Sequence, residues 1–317
     1  MNTEAKNMKI AIIGTGGVGG YFGGKLAKAG HDVTFIARGE HLNALLTKGL
    51  TVKSILGDFH IPKPKATDKI SNLSQPDLII LGVKAWQIKE LVRELNSIIH
   101  NNSIILPLQN GILAADELAE EIDKKHVLGG LCRIISKIEA PGIINHFAIT
   151  PSIVLGELDK SHSERVNKIN NLFLNAGINS FIPDDIEVEL WKKFIGICVG
   201  GLLAVTRSNY GELRALPETR QMIVDLLNEI FILSQKEGIQ IKQDFIDKTI
   251  SAIDLFPYDS TTSLARDIWE GKPSEIDYQN GTVVKLAKIY NVDIPVNNFI
   301  YNCILPMEIK ARKNKSD

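Results

Sequence analysis

Three glycines near the start of the chain have the spacing of a site for dinucleotide phosphates. Gly14, Gly16 and Gly19 form the pattern G-x-G-x-x-G, and between them lie Thr15, Gly17 and Val18. In this pattern the first glycine allows a tight turn, the second lets a pyrophosphate approach the backbone, and the third lets the next helix pack closely on a strand. The free N–H groups and positive dipole end of that helix then face the phosphates. The predicted chemistry is the binding of a dinucleotide.

The segments around these glycines have the order that such a site requires. A short apolar run, Ile10–Ile13, precedes them and is typical of a buried parallel strand. A helix-compatible run, Lys25–Ala29, and a second predicted strand, His31–Ala37, follow them. Together they predict a βαβ unit, which is the context that gives the glycine pattern its meaning. The alternative is a glycine-rich turn without a ligand.

The residue at the end of the second strand indicates which dinucleotide binds. An NAD site carries an acidic residue about 20 positions after the first glycine. Asp32 is near that count, but it stands at the start of the strand rather than its end. Arg38 follows the strand, and a guanidinium there can make paired, charge-assisted bonds to a 2′-phosphate, which favours NADPH/NADP. The alternative is that Arg38 is a solvated surface cation and that Glu40 takes the acidic part.

Composition and charge exclude several other classes of function. The chain has 317 residues, 44% of them hydrophobic and 23% charged, with a formal net charge of −1. These values are ordinary for a globular protein and imply no general attraction to nucleic acid or to an anionic membrane. The polar start MNTEAKN lacks a signal-peptide core, and the longest apolar run, Phe194–Val205, is too short to span a bilayer. We therefore expect a cytoplasmic protein with no membrane or nucleic-acid partner.

Cysteine and histidine spacing predicts neither a disulfide framework nor a metal site. Cys132, Cys198 and Cys303 lie far apart and are odd in number, which suits a reducing cytosol. The histidines show no pairing at metal-ligand spacing, so we expect no metal. The basic C-terminal end, which contains Lys310, Arg312, Lys313 and Lys315, is expected to be frayed and solvated.

The apolar pattern divides the chain into an α/β part and a helical part. Predicted strands in the first part are Asp77–Val83, Ser103–Leu108, Val127–Ile135, Gly142–Phe147 and Ile153–Gly156, and predicted helices are Lys84–Ile99 and His162–Asn175. This alternation predicts a Rossmann-like, doubly wound and mostly parallel sheet. After Pro183 the predicted elements are helices only: Asp184–Thr206, Thr219–Glu237, Gln243–Leu255, Glu275–Tyr290 and Val296–Arg312. We expect a dinucleotide-binding domain over 8–183 and an all-helical substrate domain over 184–317.

Two polar residues follow predicted parallel strands. Ligands of open α/β sheets bind outside the carboxyl ends of the strands. Lys84 and Asn110 stand at such ends and are therefore candidates for ligand contact. The alternatives are a surface lysine and, because Asn-Gly is a strong turn pair, a turn asparagine.

Several further motifs resemble those of the ketopantoate reductases (2-dehydropantoate 2-reductases). They run in order along nearly the whole chain: the glycine motif with its following strand, VKAWQ at 83–87, QNG at 109–111, PGIINH at 141–146, GELD at 156–159, ELWKKF at 189–194, GEL at 211–213, SLARD at 263–267 and SEIDYQNG at 274–281. The resemblance implies a Rossmann domain, a helical C-terminal domain and an active site in the cleft between them. It implies NADPH-dependent reduction of 2-dehydropantoate to pantoate, on the route to pantothenate and coenzyme A. The expected partner is a small-molecule 2-oxo acid, with a homodimer as one possible assembly.

The same resemblance implies roles for individual residues. The family's W-x-K pattern places the catalytic lysine, the general acid, at Lys193, with Lys192 as the neighbour that a one-residue error would choose. The glutamate of the S-E-I-D pattern is Glu275, expected to be catalytic and to bind the cofactor, either pairing with Lys193 or holding a substrate hydroxyl. Ser263 is the expected contact for the substrate carboxylate, and Lys84 and Asn110 match the remaining family positions. An ammonium beside a carbonyl oxygen stabilises the charge that develops there and can donate the proton.

At two positions the chain departs from the family pattern K-x-x-x-N-x-x-x-N. Where asparagines are expected on the same helix face as Lys193, this chain has Ile197 and Gly201. An alkyl group and a gap would replace two polar contacts, which weakens pantoate-type recognition or favours a bulkier and less polar 2-oxo acid. The pair Gly200-Gly201 is unfavourable inside a helix and indicates close packing or a local break there. Three functions stay open: a ketopantoate reductase with compensating contacts, a family member that reduces another 2-oxo acid, and a non-catalytic NADP-binding regulatory protein.

Overall fold

The computed structural model describes residues 8–314, and within them the chain forms two compact units. The first contains residues 8–109 and 113–186, and the second contains residues 110–112 and 187–314. The short segment 110–112 thus belongs to the helical unit, although the chain on both sides of it belongs to the α/β unit.

The first unit is built from two sheets and the helices packed on them. Its strands are β1 (Lys9–Ile13), β2 (Asp32–Ile36), β3 (Leu50–Ser54), β4 (Phe59–Ile61), β5 (Lys65–Thr67), β6 (Leu78–Leu81), β7 (Ile104–Pro107), β8 (Gly129–Ala140), β9 (Ile143–Gly156) and β10 (Asn179–Phe181). Its helices are α1 (Gly17–Lys28), α2 (Gly39–Lys48), α3 (Ile88–Ile98), α4 (Ala114–Ala119) and α5 (Glu164–Asn175).

The first sheet is entirely parallel, with the strand order β5-β2-β1-β6-β7. The strands β6 and β7 are buried at every position, as expected for strands covered on both faces. The predicted strands over residues 10–13, 31–37, 77–83 and 103–108 correspond to four of its five strands, β1, β2, β6 and β7. The Rossmann-like prediction is confirmed here.

The later strands join a second, mixed sheet, which the sequence pattern does not separate from the first. Its order is β10-β9-β3-β4, and β8 pairs with β9 in an antiparallel hairpin. The two predicted strands over 142–147 and 153–156 are one continuous strand, β9. The reason for the antiparallel pairing is the tight Pro141-Gly142 connection, in which Gly142 has φ +78°. So short a link joins antiparallel neighbours, whereas parallel neighbours need a long crossover.

Helix α1 lies between the two sheets, which explains why it is rich in glycine. A Cβ on Gly20 would lie 2.6 Å from Ile144 of the second sheet, and one on Gly23 would lie 2.6 Å from Ile12 of the first. Side chains at these positions would force the sheets apart. The glycines that follow the phosphate-binding pattern are therefore required by packing.

Within the described residues, every regular element of the second unit is a helix. Its helices are α6 (Ile186–Ile197), α7 (Val199–Thr206), α8 (Tyr210–Ala215), α9 (Pro217–Lys236), α10 (Phe245–Asp254), α11 (Ser263–Trp269), α12 (Asn280–Tyr290) and α13 (Pro295–Lys313), with a 3₁₀ turn over Ile276–Tyr278. The first residue of α6, Ile186, groups with the α/β unit. The core of the second unit is a continuous apolar cluster that includes Leu202, Leu227, Val283 and Ile300. The prediction of an α/β part followed by a helical part is confirmed.

The basic end of the chain differs from the expectation of a frayed terminus. Helix α13 continues to Lys313, and Arg312 makes hydrogen bonds within the unit. Lys315 lies outside the described residues. Over residues 8–314, no helix combines the length and the apolar character needed to cross a membrane.

Candidate functional site

The glycine turn after β1 has the geometry of a phosphate cradle. Gly14 has φ +94°, a backbone conformation that strongly favours glycine, and a Cβ there would lie 2.6 Å from the backbone nitrogen of Val83. A Cβ on Gly19 would lie 2.1 Å from the carbonyl oxygen of Gly14, so α1 can begin directly against the end of β1 only with glycine here. Both positions are needed to form the turn itself.

Gly16 differs from its neighbours because its missing side chain leaves open space. It is the N-cap of α1, and a Cβ there would have no heavy atom within 4 Å. No side chain caps the helix, and its first turn contains no acidic residue. The N-terminal N–H groups and the positive dipole end therefore favour an anion at this place. The cradle thus fits the pyrophosphate of a dinucleotide.

Thr15 links the glycine turn to the end of β2 through both its backbone and its side chain. The hydroxyl donates a 2.9 Å hydrogen bond to the carbonyl oxygen of Ile36, and the Thr15 N–H donates to the same oxygen at 3.1 Å. Thr15 is buried, so its side chain ties the turn to the end of β2. Gly17 and Val18 form the first turn of α1.

Arg38 lies at the carboxyl end of β2, at the edge of the parallel sheet that carries the glycine turn. It is the exposed N-cap of α2, directly beyond the end of β2, and Glu40 is exposed in the first turn of that helix. Asp32 lies at the opposite end of β2 and forms a 2.7 Å ion pair with Lys65. Asp32 therefore lies away from the carboxyl edge of the sheet, where Arg38 lies.

His41 is a residue of this region that the sequence analysis does not identify. Its Nδ1 accepts a 3.1 Å hydrogen bond from the N–H of Gly142, which joins α2 to the turn of the β8–β9 hairpin. Burial lowers the pKa of His41 below its ordinary value of 6.5, and the backbone of Thr15 opposes this effect without overcoming it. A neutral imidazole therefore packs beside the cradle. No local pattern in the sequence signals this role.

Lys84 lies at the same edge of the parallel sheet. It follows β6 by three residues and is the N-cap of a 3₁₀ turn over Ala85–Gln87, and its N–H donates to the side chain of Gln87. The buried side chain of Gln109 donates to the carbonyl oxygens of Leu81 and Val83, at 2.9 and 3.1 Å. Gln109 thus joins the ends of β6 and β7 just before Asn110.

In the helical unit, Lys193 and Lys192 lie on different faces of α6, because successive residues of a helix point about 100° apart. Lys192 pairs with Glu189 in the same helix, at 2.7 Å. Trp191 and Phe194 are buried in the core, with their rings edge to face at 5.6 Å. Lys193 is half-buried and shares its face with Ile197, one turn further on.

Asn110 and Glu275 of the candidate site are joined by a hydrogen bond. The side-chain amide of Asn110 donates a 3.1 Å hydrogen bond to Oε2 of Glu275, which is 5% exposed. Glu275 is the N-cap of the 3₁₀ turn Ile276–Tyr278. Behind it, a Cβ on Gly111 would lie 2.7 Å from the carbonyl oxygen of Tyr278, so Asn110-Gly111 packs directly on this turn. Ser263 is exposed at the first position of α11, beside the N-cap Thr262.

The expected gap at Gly201 does not exist, which corrects the sequence analysis. The helix is interrupted at Cys198, between α6 and α7, so Gly201 does not continue the face of Lys193 along one helix. A Cβ on Gly201 would lie 2.4 Å from Oδ1 of Asn280 and 2.7 Å from Ile300. Asn280 also donates a hydrogen bond to the carbonyl oxygen of Cys198, at 3.2 Å. Position 201 is therefore filled by its neighbours.

Two family models match the chain across both units. The model described as ketopantoate reductase PanE/ApbA matches residues 10–160, and the model described as ketopantoate reductase PanE/ApbA C terminal matches residues 185–308. The chain belongs to the ketopantoate reductase family.

Similar proteins also match the chain over most of its length. It is 32% identical to a 2-dehydropantoate 2-reductase of Nostoc sp. over 301 residues, which covers 93% of each chain. Its structure is similar to that of a PanE/ApbA family ketopantoate reductase from Ralstonia eutropha, with a TM-score of 0.89, 27% identity, and coverage of 96% of this chain and 100% of that one. It is also similar to a D-mandelate dehydrogenase in complex with NADH and anilino(oxo)acetate, with a TM-score of 0.87, 25% identity, and coverage of 96% and 99%.

The candidate residues of this ketopantoate reductase family member divide between its two units. The α/β unit holds Gly14, Thr15, Gly16, Gly17, Val18, Gly19, Arg38 and Lys84. The helical unit holds Asn110, Lys193, Ser263 and Glu275. Most of the dinucleotide-binding candidates thus belong to the α/β unit, whereas Asn110 and Glu275, candidates for the cofactor as well, and the substrate candidates Asn110, Lys193 and Ser263 belong to the helical unit.

Proposed function

We propose that the chain is an NADPH-dependent reductase that converts 2-dehydropantoate to pantoate. The observation that carries this proposal is the open space over Gly16 at the uncapped N-terminus of α1. A helix N-terminus with a bare backbone and no competing carboxylate is suited to a pyrophosphate. The full-length match to reductases that act on 2-dehydropantoate supports the choice of substrate.

The residues of the first unit hold the cofactor. The backbone of residues 14–19 holds the pyrophosphate, Arg38 pairs with the 2′-phosphate, and Lys84 adds positive charge at the same sheet edge. NADPH, when bound, supplies the hydride for the substrate's carbonyl carbon.

The residues of the second unit act on the 2-oxo acid. The ammonium of Lys193 stabilises the negative charge that develops on the carbonyl oxygen and donates the proton that completes the hydroxyl group. Ser263 donates a hydrogen bond to the substrate carboxylate. Asn110 and Glu275, held together by their mutual hydrogen bond, bind substrate or cofactor hydroxyls. The balance is one 2-oxo acid, one hydride and one proton giving one 2-hydroxy acid.

A second candidate is the reduction of a 2-oxo acid with a larger, apolar side chain. Ile197 presents an alkyl group one helical turn from Lys193, where the family pattern has asparagine. The similar D-mandelate dehydrogenase acts on a phenyl-bearing 2-hydroxy acid, as its name states. A site without the hydrogen-bonding group discriminates less strongly in favour of a hydroxylated substrate.

Steady-state oxidation of NADPH and NADH with a panel of 2-oxo acids tests the proposal. The panel contains 2-dehydropantoate, an aliphatic 2-oxo acid without a hydroxyl group, and a phenyl-bearing 2-oxo acid. The highest kcat/KM for 2-dehydropantoate with NADPH supports the first candidate, and the highest value for an apolar acid supports the second. Binding of NADPH without turnover of any acid would reject both in favour of a non-catalytic protein.

A further inference from the structure

Glu308 is a buried carboxylate that the proposed reaction does not use. It lies on α13 and is 2% exposed. One of its oxygens accepts a 2.7 Å hydrogen bond from Nε of Arg312, one helical turn further on. A buried carboxylate is costly unless its oxygens are paired, so its partners explain its presence.

The other partner of Glu308 is Ser274, which donates three hydrogen bonds to its carboxylate. The Ser274 N–H lies 2.9 Å from Oε2 and 3.2 Å from Oε1 of Glu308, and the Ser274 hydroxyl donates to Oε2 at 2.6 Å. Arg312 donates to the carbonyl oxygen of the same serine, at 3.3 Å. Ser274 is fully buried, so the last turns of α13 fix both its backbone and its side chain.

Ser274 directly precedes Glu275, the acidic residue of the candidate site. The Ser274 hydroxyl also accepts a 3.3 Å hydrogen bond from the N–H of Ile276, so it spans Glu275 on both sides. The Glu275 carboxylate itself accepts a hydrogen bond from the side-chain amide of Asn110. Helix α13 thus holds the backbone that precedes Glu275, and the Ser274 hydroxyl links that backbone to the residue after it.

From these contacts we propose that Glu308 is a positioning residue for Glu275, acting through Ser274. The proposal rests on the function proposed above for the site. A carboxylate suits this place because the groups that face it, the N–H and O–H of Ser274 and the Nε–H of Arg312, all donate to it, and a carboxylate is an acceptor only. Glutamine would bring an NH₂ group against one of these donors, so Glu308→Gln disturbs Ser274 although it preserves size.

The matched control is Glu157 of the α/β unit, which has the same chemical partners. Glu157 is 7% exposed and accepts hydrogen bonds from the hydroxyl of Ser163 and from Nε of Arg165. Glu157→Gln therefore perturbs an equivalent serine–carboxylate–arginine set that adjoins no candidate site residue. We expect both substitutions to lower Tm, and only Glu308→Gln to lower kcat/KM, by about 10- to 100-fold, as for a displaced active-site group.

A double-mutant cycle with Glu275→Gln tests whether Glu308 acts through Glu275. We expect Glu308→Gln to change kcat/KM much less in the Glu275→Gln background than in the wild type, because coupled residues are not additive. Equal fold-losses in both backgrounds, or a loss of Tm alone, would overturn the proposal. If Glu308→Gln does not fold, Ser274→Ala takes its place in the same cycle; it removes the hydroxyl contacts with Glu308 and Ile276 and leaves the backbone contact with Glu308.

A measurement without turnover separates this proposal from the proposed function. The side-chain amide NMR signal of Asn110, assigned by its loss in Asn110→Ala, reports on the bond to Glu275. We expect it to shift in Glu308→Gln and not in Glu157→Gln. An unshifted signal overturns the positioning role, whereas a wild-type protein that reduces no 2-oxo acid overturns only the proposed function.

Discussion

Asn110 and Glu275 are 165 positions apart in the sequence, yet the side-chain amide of one donates to the carboxylate of the other at 3.1 Å. Residues 110–112 leave the α/β unit to join the helical unit, which makes the contact possible. The strand that precedes Asn110 belongs to the parallel sheet. Asn110, predicted from the end of a parallel strand and from the family resemblance, therefore contacts Glu275, the acidic candidate residue of the helical unit.

The 2′-phosphate role of Arg38 predicts a selective loss of affinity. Hydrogen bonds to charged groups contribute about 1.5–3 kcal/mol, so Arg38→Ala should raise the KM for NADPH roughly 10- to 100-fold. The KM for NADH should change little, because NADH lacks the phosphate. Steady-state kinetics with both cofactors measures this, and Glu40→Gln is the control for the neighbouring acid. Equal effects of Arg38→Ala on both cofactors would reject the role.

The open space at Gly16 predicts a variant that folds but does not bind the cofactor. Gly16 has φ −82°, which any residue can adopt, and a Cβ there meets no atom of the protein. Gly16→Ala should therefore leave Tm nearly unchanged and weaken NADPH binding, since the methyl group takes the place of the pyrophosphate.

Gly196 provides the matched control for this prediction. A Cβ there also meets nothing within 4 Å, and the residue lies inside α6. Gly196→Ala should stabilise the protein by about 0.5–1 kcal/mol without affecting NADPH affinity. Titration of NADPH fluorescence gives both affinities. Unaltered binding in Gly16→Ala would show that the phosphates lie elsewhere.

The departure from the family pattern at Ile197 predicts a change of substrate preference. Ile197→Asn adds an amide one turn from Lys193, and a hydrogen bond contributes about 0.5–1.5 kcal/mol. We expect kcat/KM for 2-dehydropantoate to rise severalfold relative to that for a phenyl-bearing 2-oxo acid. Ile197→Leu, which preserves the apolar surface, should leave the ratio unchanged. An unchanged ratio in Ile197→Asn would remove position 197 from substrate selection.

The lowered pKa of His41 predicts a specific dependence of stability on pH. Because burial lowers the pKa in the folded state, the unfolded chain binds the proton more readily. The contribution to stability is thus complete above pH about 6.5, the ordinary pKa, and is lost as the pH falls through the folded-state value. Urea unfolding at several pH values between 7.5 and 5 should show that the free energy of unfolding falls less with decreasing pH in His41→Asn than in the wild type. The same pH dependence of the free energy of unfolding in both proteins would contradict this.

The sequence predicts the elements of the site that depend on local chemistry. The glycine turn, the βαβ order and the position of Arg38 follow from neighbouring residues, and the structure agrees with each of them. The resemblance to the ketopantoate reductases is confirmed by the family match. These features are predictable because a turn with positive φ and a doubly covered strand leave direct traces in residue type.

Features that depend on distant contacts leave no such trace. The sequence predicts one helix over Asp184–Thr206 with close packing or a local break at Gly200-Gly201, but it does not reveal that the helix is interrupted at Cys198 or that Gly201 packs against Asn280. The short helices α8 and α11 have too few turns for a helical period to emerge. Arg312 was expected in solvent because its pairing with Glu308 and Ser274 depends on the tertiary fold.

We propose that Lys193, rather than its neighbour Lys192, is the proton donor. The two lysines differ by one position, and Lys192 is paired with Glu189 on another face of the helix. The most direct measurement is kcat for NADPH-dependent reduction of the preferred 2-oxo acid in Lys193→Ala and Lys192→Ala. The account predicts a loss of about 10²- to 10⁴-fold for Lys193→Ala, the range for a general acid, and a kcat close to that of the wild type for Lys192→Ala. Near-normal kcat in Lys193→Ala, or an equal loss in both variants, would contradict it.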